Sequence, residues 1–129
     1  EYLDTKNKTI CLPMVVNKKQ PLIFKPWRPG KKMVIGHYGI SVPDNDQTLI
    51  PDLIICPLLA YDSKGMRLGY GGGFYDRTIK YFRRNKRVKY IGLAFSGQRS
   101  YHDLQSEVHD VPLDAVLTEK GIDYFKNFK

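Results

Sequence analysis

The sequence is short of the features that assign a protein quickly. Its two cysteines, Cys11 and Cys56, stand in the apolar runs Ile10-Cys11-Leu12 and Ile54-Ile55-Cys56, and no ligand cluster accompanies either. That excludes a cysteine-based metal site. It predicts two buried, reduced thiols in a cytoplasmic protein, with one inter-strand disulfide as the alternative. No apolar run approaches the ~18–20 residues of a membrane-spanning helix. No basic-then-apolar signal segment is present, and the chain opens on Glu1-Tyr2-Leu3-Asp4 without Met, so a trimmed or partial chain is expected. Acidic residues are also scarce. There are 13 against 21 Lys and Arg in 129 residues, a net charge of +8, which favours an anionic partner without choosing among phosphates, nucleic acid and acidic substrates. Hydrophobic content of 42% excludes disorder, and the length predicts a single domain.

The pattern that is present predicts an α/β protein. Residues 9–16 read as a strand, at an edge or bulge because of Pro13, and residues 21–24 as a short edge strand or hairpin return. Residues 25–32 read as loop and 33–49 as irregular, being broken by Gly, Pro, Asp and Asn. Residues 1–5 read as the tail of a helix. The apolar run 52–56 predicts a buried strand. A glycine-rich loop follows over 61–73, and then a helix in which Tyr75, Ile79 and Phe82 share one face. Residues 88–95 predict a second buried strand, 115–117 a short one and 121–128 a terminal helix. Strand, loop, helix, strand is a βαβ unit. It implies a three-layer, largely parallel open sheet with flanking helices, of Rossmann-like type.

The stretch Arg67-Leu68-Gly69-Tyr70-Gly71-Gly72-Gly73-Phe74-Tyr75-Asp76-Arg77 carries the chemistry. It follows a strand and opens a helix, where ligands bind in open α/β sheets. Glycines let backbone N–H groups approach a phosphate, the helix N-terminus favours an anion, and Arg67 supplies a planar cationic fork. It is neither a P-loop nor a Rossmann fingerprint, because Phe74 stands where the third glycine would be. A nucleotide loop is preferred to a structural glycine turn. Asp76 reads first as an acid favoured by the helix dipole, and second as a magnesium ligand beside phosphates. The basic run Arg77, Lys80, Arg83, Arg84, Lys86, Arg87 and Lys89 reads as a solvated helix face rather than a nucleic-acid-binding surface, since no nucleic-acid motif accompanies it. His37, His102 and His109 are scattered and receive no catalytic role, and Phe24 and Trp27 read as packing residues.

The loop closely resembles the signature of the 5-formyltetrahydrofolate cyclo-ligase family. Supporting stretches occur in order: Leu12-Pro13, Gly39-Ile40 before Pro43, residues 52–62, Ile91-Gly92-Leu93-Ala94-Phe95, Gln98, and residues 109–114. The resemblance spans residues 8–120. It implies an ATP-dependent ligase of folate one-carbon metabolism that converts 5-formyltetrahydrofolate to 5,10-methenyltetrahydrofolate. ATP phosphorylates the formyl oxygen, N10 attacks the activated carbon, and ADP and phosphate leave. Carried over by position, Arg67, Leu68, Gly69, Tyr70, Gly71, Gly72, Gly73, Phe74 and Tyr75 bind ATP, and Tyr70 through Phe74 (including Gly71, Gly72 and Gly73) also face the folate. Arg67 and Tyr75 are the catalytic candidates, and Asp76 and Asp110 the magnesium ligands. The partner is a small-molecule folate, polyglutamylated forms included, and the protein is expected to be a monomer with no membrane partner. Two positions depart from the family pattern: Val42 stands where Glu is common, and Phe74 where Tyr is frequent. The family's N-terminal region, with a basic ATP-binding helix, has no counterpart before Glu1, so the chain is expected to be the C-terminal part of the parent domain. A catalytically incomplete nucleotide-binding remnant is the alternative expectation, and a basic nucleic-acid-binding module a more distant one.

Overall fold

The computed structural model describes residues 6–85, 87–105 and 111–125. The helix tail expected over residues 1–5 therefore lies outside the described residues. The chain divides into two compact units, residues 1–51 and 52–129.

The first unit is built from antiparallel hairpins. Strand β1 (Ile10–Met14) pairs with β2 (Ile23–Trp27), Pro13 standing opposite Phe24 and Cys11 opposite Pro26. The expected loop at 25–32 is thus corrected, because β2 continues through Lys25 and Pro26 to Trp27. Neither proline has an N–H to donate, which a two-stranded edge arrangement tolerates. The irregular segment expected over 33–49 contains a second hairpin, β3 (Met33–Ile35) with β4 (Ser41–Pro43). A single 3₁₀ turn at His37–Gly39 closes it, and its reversal uses left-handed backbone at Tyr38 (φ 59°) and Gly39 (φ 69°). The Gly36 N–H donates to the Ile40 carbonyl at 2.8 Å. Leu22, Phe24 and Val42 are buried in this unit. A Cβ on Gly36 would lie 3.3 Å from the Val42 methyls, so Val42 acts as a packing residue where the family pattern has a carboxylate.

The second unit holds a mixed four-stranded sheet in the order β10-β9-β8-β5. Strand β5 (Leu53–Cys56) runs parallel to β8 (Lys89–Leu93), and β8 parallel to β9 (Ala115–Thr118). The crossover from β5 to β8 passes through a short hairpin, β6 (Ala60–Tyr61) with β7 (Arg67–Leu68), and then helix α1 (Phe74–Phe82). This is the expected βαβ unit with a hairpin inserted into its loop. Two expectations are corrected. The continuous apolar run in β5 predicts burial on both faces, but Ile54 and Cys56 are buried while Leu53 and Ile55 are 49% and 51% exposed. The strand therefore has one solvent-facing side. The terminal helix expected at 121–128 is replaced by strand β10 (Gly121–Tyr124), antiparallel to β9. Glu119 and Lys120 form a two-residue turn, and Gly121 at φ 125° takes backbone that side chains avoid. Leu58, Tyr61, Ile79, Val88, Tyr90, Leu113, Ala115 and Val116 are also buried in this unit. No helix among the described residues is long and apolar enough to cross a membrane.

Candidate functional site

The loop begins at a fastened turn. Asp62 follows β6 and is only 1% exposed. One of its carboxylate oxygens accepts the N–H groups of Lys64 (2.9 Å) and Met66 (3.0 Å), and the other accepts that of Leu104 (2.9 Å). Gly65 turns at φ 85°, and a Cβ there would stand 2.8 Å from the Phe125 ring and 2.9 Å from the Leu113 carbonyl. The glycine is needed both for its backbone conformation and for this close approach. The turn delivers β7, and with it Arg67.

Beyond β7 the chain runs over Gly69-Tyr70-Gly71-Gly72-Gly73 into α1. The Tyr70 hydroxyl donates to the Leu58 carbonyl at 3.3 Å. Gln98 donates to the same carbonyl at 3.0 Å and to that of Leu59 at 3.2 Å, holding the segment after β5. Gly71 has φ 97°, and nothing lies within 4 Å of where its Cβ would be, so the loop is open at that point. Gly73 caps α1 with left-handed backbone, φ 71°. Phe74, Tyr75 and Asp76 form the first turn of the helix.

The fold brings three predicted residues together. The Arg67 side chain is 6% exposed, and its Nη1 lies 3.3 Å from Oδ1 of Asp76, whose side chain is 51% exposed. The Arg67 guanidinium carbon also lies 5.8 Å from the centre of the Tyr75 ring. The Nε atom of Arg67 is buried with no hydrogen-bond partner among the described residues. The arginine expected as a planar cationic fork is thus a buried cation with one donor, Nε, left without an acceptor among the described residues. Leu68, Gly69, Tyr70, Gly71, Gly72 and Gly73 lead from it to the helix, and the Phe74 ring packs under the Arg77 guanidinium at 4.8 Å. Asp110, with His109, lies outside the described residues, as does Lys86. Arg83, Arg84 and Arg87 are exposed, as a solvated helix end requires. Among the described residues, no group of three or more His, Cys, Asp or Glu gathers to hold a metal ion.

A buried polar layer lies beneath the loop. Cys56, at the end of β5, is fully buried, and burial pushes its thiol up to about 12; Arg67 opposes the rise, while Asp76 and Asp114 add to it. Burial, with Cys56 and Asp114, pushes the Tyr90 phenol up to about 12. Burial also raises the Tyr75 phenol, with Arg67 opposing. The Tyr90 N–H donates to Asp114 at 2.8 Å. Both cysteines are free thiols, although Cys11 is only half-buried. Sequence reasoning missed Asp62 as the anchor of the loop and Tyr90 as a buried neighbour of Cys56. Only Asp62 left a signal, the Asp-Ser-Lys-Gly turn signature at 62–65.

The raised thiol and phenol make a stability prediction. The folded state holds these protons more tightly than the unfolded chain does. Unfolding is therefore increasingly favoured as pH rises through the ordinary thiol value of 9.0 toward about 12. The urea midpoint is expected to fall through that interval, and Cys56 to resist alkylation until the chain opens. A flat midpoint together with rapid alkylation of Cys56 in the native protein would contradict this account.

A family model described as the 5-formyltetrahydrofolate cyclo-ligase family matches residues 1–119. The 5-formyltetrahydrofolate cyclo-ligase of Haemophilus influenzae is 39% identical over 118 residues, covering 87% of this chain and 62% of its own length. That of Escherichia coli K12 is 37% identical over 106 residues, covering 78% and 57%. The NMR structure of 5,10-methenyltetrahydrofolate synthetase from Aquifex aeolicus matches with a TM-score of 0.71 at 30% identity, over 96% of this chain and 62% of that one. A 5,10-methenyltetrahydrofolate synthetase from Mycoplasma pneumoniae shares the fold at a TM-score of 0.63 and 24% identity, over 89% and 58%. The chain thus spans 62% and 57% of the length of the two bacterial relatives. With the family model covering nearly all of it, the chain belongs to the 5-formyltetrahydrofolate cyclo-ligase family.

Proposed function

We propose that this chain supplies the nucleotide- and folate-binding loop of an enzyme that cyclises 5-formyltetrahydrofolate to 5,10-methenyltetrahydrofolate with conversion of ATP to ADP and phosphate. One observation carries the reading. A buried guanidinium with an unpartnered Nε stands beside an open glycine loop at the N-terminus of a helix. That arrangement fits a phosphate chain, because Arg67 offers a donor that lacks an acceptor and the loop backbone offers N–H groups near the favourable end of the dipole.

ATP supplies an activating phosphoryl group, which turns the formyl oxygen from a poor leaving group into a good one. The rest is positioning and charge neutralisation by the chain. Arg67 binds phosphate oxygens, and Tyr75 keeps the guanidinium in place through its ring. Tyr70 through Phe74 face the folate, and Phe74 contributes a ring without a hydroxyl. Magnesium takes one or two carboxylates with phosphate oxygens, which suits Asp76 with Asp110 as its companion. The basic surface steers the substrate, polyglutamylated folates included. The same reading takes the chain as one α/β domain of a monomeric cytoplasmic enzyme whose sheet is completed as a three-layer, Rossmann-like core.

The test is the absorbance of methenyltetrahydrofolate formed by the full-length protein with ATP, magnesium and 5-formyltetrahydrofolate. Product formation that depends on ATP is expected. No product and no thermal stabilisation by ATP would overturn the reading. Stabilisation without product would leave a protein that binds nucleotide but does not turn over.

A further inference from the structure

We propose that Asp76 is the standing counter-ion of Arg67 and gives up that pairing when a phosphate enters, so that a single exchange readies both an anion site and a carboxylate. This rests on the reading of the loop as a phosphate site, and it adds how that site is held before the ligand arrives.

The two partners are unequal. Arg67 is permanently charged and 6% exposed, so burying it without an anion beside it is costly. Asp76 is 51% exposed and can be taken up by water as soon as it is released. It also has an independent reason to occupy its position, the first turn of α1, where the helix dipole favours a negative charge. The contact itself is a weak form of its kind. A guanidinium and a carboxylate can pair through two short parallel bonds, yet a single one joins them, at 3.3 Å. The Nε donor of Arg67 has no acceptor among the described residues. A phosphate brings several acceptor oxygens to a group that has more donors than Asp76 engages. The Tyr75 ring, its centre 5.8 Å from the guanidinium carbon, is a second and uncharged neighbour of Arg67, so the exchange of anions leaves it no charge to give up.

Exchange has a thermodynamic signature. While Arg67 is paired, Asp76 competes with the anion, so phosphate binding without a divalent cation is weaker than the site alone would allow. Once the phosphate holds Arg67, the Asp76 carboxylate has lost its cation and takes another more readily. Anion and cation therefore favour one another through the protein as well as through direct contact.

The experiment measures ATP affinity in EDTA by calorimetry, using the full-length protein, Asp76→Asn, Arg67→Met and the double variant. Exchange predicts that Asp76→Asn binds metal-free ATP at least about fivefold more tightly than wild type, and that the gain disappears in the Arg67→Met background. If Arg67→Met binds too weakly to measure, ionic strength decides. Simple repulsion between an exposed carboxylate and ATP is screened out at about 1 M salt, whereas relief of a contact pair persists. A gain that survives loss of Arg67, or one that vanishes at high salt, would overturn the exchange while leaving the phosphate site standing. No gain in Asp76→Asn, with wild type binding ATP normally, would do the same. Wild type that binds no ATP with or without magnesium would overturn the phosphate reading itself, and the exchange with it.

Discussion

Arg67→Met is expected to lower kcat/KM for ATP by roughly 10²- to 10³-fold and to remove the thermal stabilisation that ATP gives. Truncating one partner of a buried, hydrogen-bonded charge pair typically costs about 2–5 kcal/mol, and each ~1.4 kcal/mol is tenfold. Met keeps the apolar stem that packs in a side chain 94% removed from solvent, so the change is confined to the guanidinium. Folding stability is expected to change little. The variant no longer buries a charge, and Asp76 is exposed enough to be solvated once unpaired. Arg67→Lys separates charge from geometry. It restores a cation but neither the planar fork nor the contact with the Tyr75 ring, and should recover only part of the loss. Steady-state kinetics and ATP-dependent melting of the three proteins check this. Near-normal turnover in Arg67→Met would remove the residue from the phosphate site.

The parts of this fold that could be read from the residues share one property: their periodicity is unambiguous and long enough to register. The apolar run before the loop, the helical spacing of Tyr75, Ile79 and Phe82, and the apolar run after it fix β5, α1 and β8. The hairpin β3–β4 could not be read, because its strands are three residues long and its reversal depends on left-handed backbone at Tyr38, a residue type with no preference for it. The last strand resembles a helix in the sequence for a related reason. Ile122, Phe125 and Phe128 recur at helical spacing, but the pairing of Gly121 with Thr118 sets a two-residue turn that returns the chain along β9. At the site, the glycine loop and the types of its charged residues were legible. Their burial was not. Nothing in the order of residues 67–76 says that Arg67 lies against Tyr75 and Asp76 with its Nε left without an acceptor among the described residues. That follows from the inserted hairpin β6–β7, whose two-residue strands leave too little pattern to recognise. Asp62 is the sharpest case. In the sequence it is one more polar residue at a turn, and in the fold it is the buried hub of that hairpin.

Asp62→Ala is expected to destabilise the protein by about 3–5 kcal/mol, a large part of the ~5–15 kcal/mol that holds a typical domain together. The carboxylate accepts three backbone N–H groups, those of Lys64, Met66 and Leu104. Hydrogen bonds to a charged group contribute about 1.5–3 kcal/mol each, and a buried donor left without its acceptor loses about 1–3 kcal/mol. Lys64 lies at the exposed side of the turn and recovers water, so the sum falls below three full bonds. Asp62→Asn should be intermediate. Its carbonyl can still accept from Lys64 and Met66, but its amide then meets the Leu104 N–H donor to donor. Urea denaturation gives the energies, and hydrogen exchange at Met66 and Leu104 gives their location, because both amides should lose protection before the β5–β8 core does. The turn delivers β7, so Arg67 also loses its placement. Activity in Asp62→Asn should fall at temperatures where the protein is still folded, and ATP affinity should fall with it. This is the reverse of Arg67→Met, where activity is lost and stability kept. If Asp62→Ala shifted the midpoint no further than Asp62→Asn, the three bonds would be incidental to the fold, and the placement of Arg67 would have to be sought in the helix rather than in the hairpin.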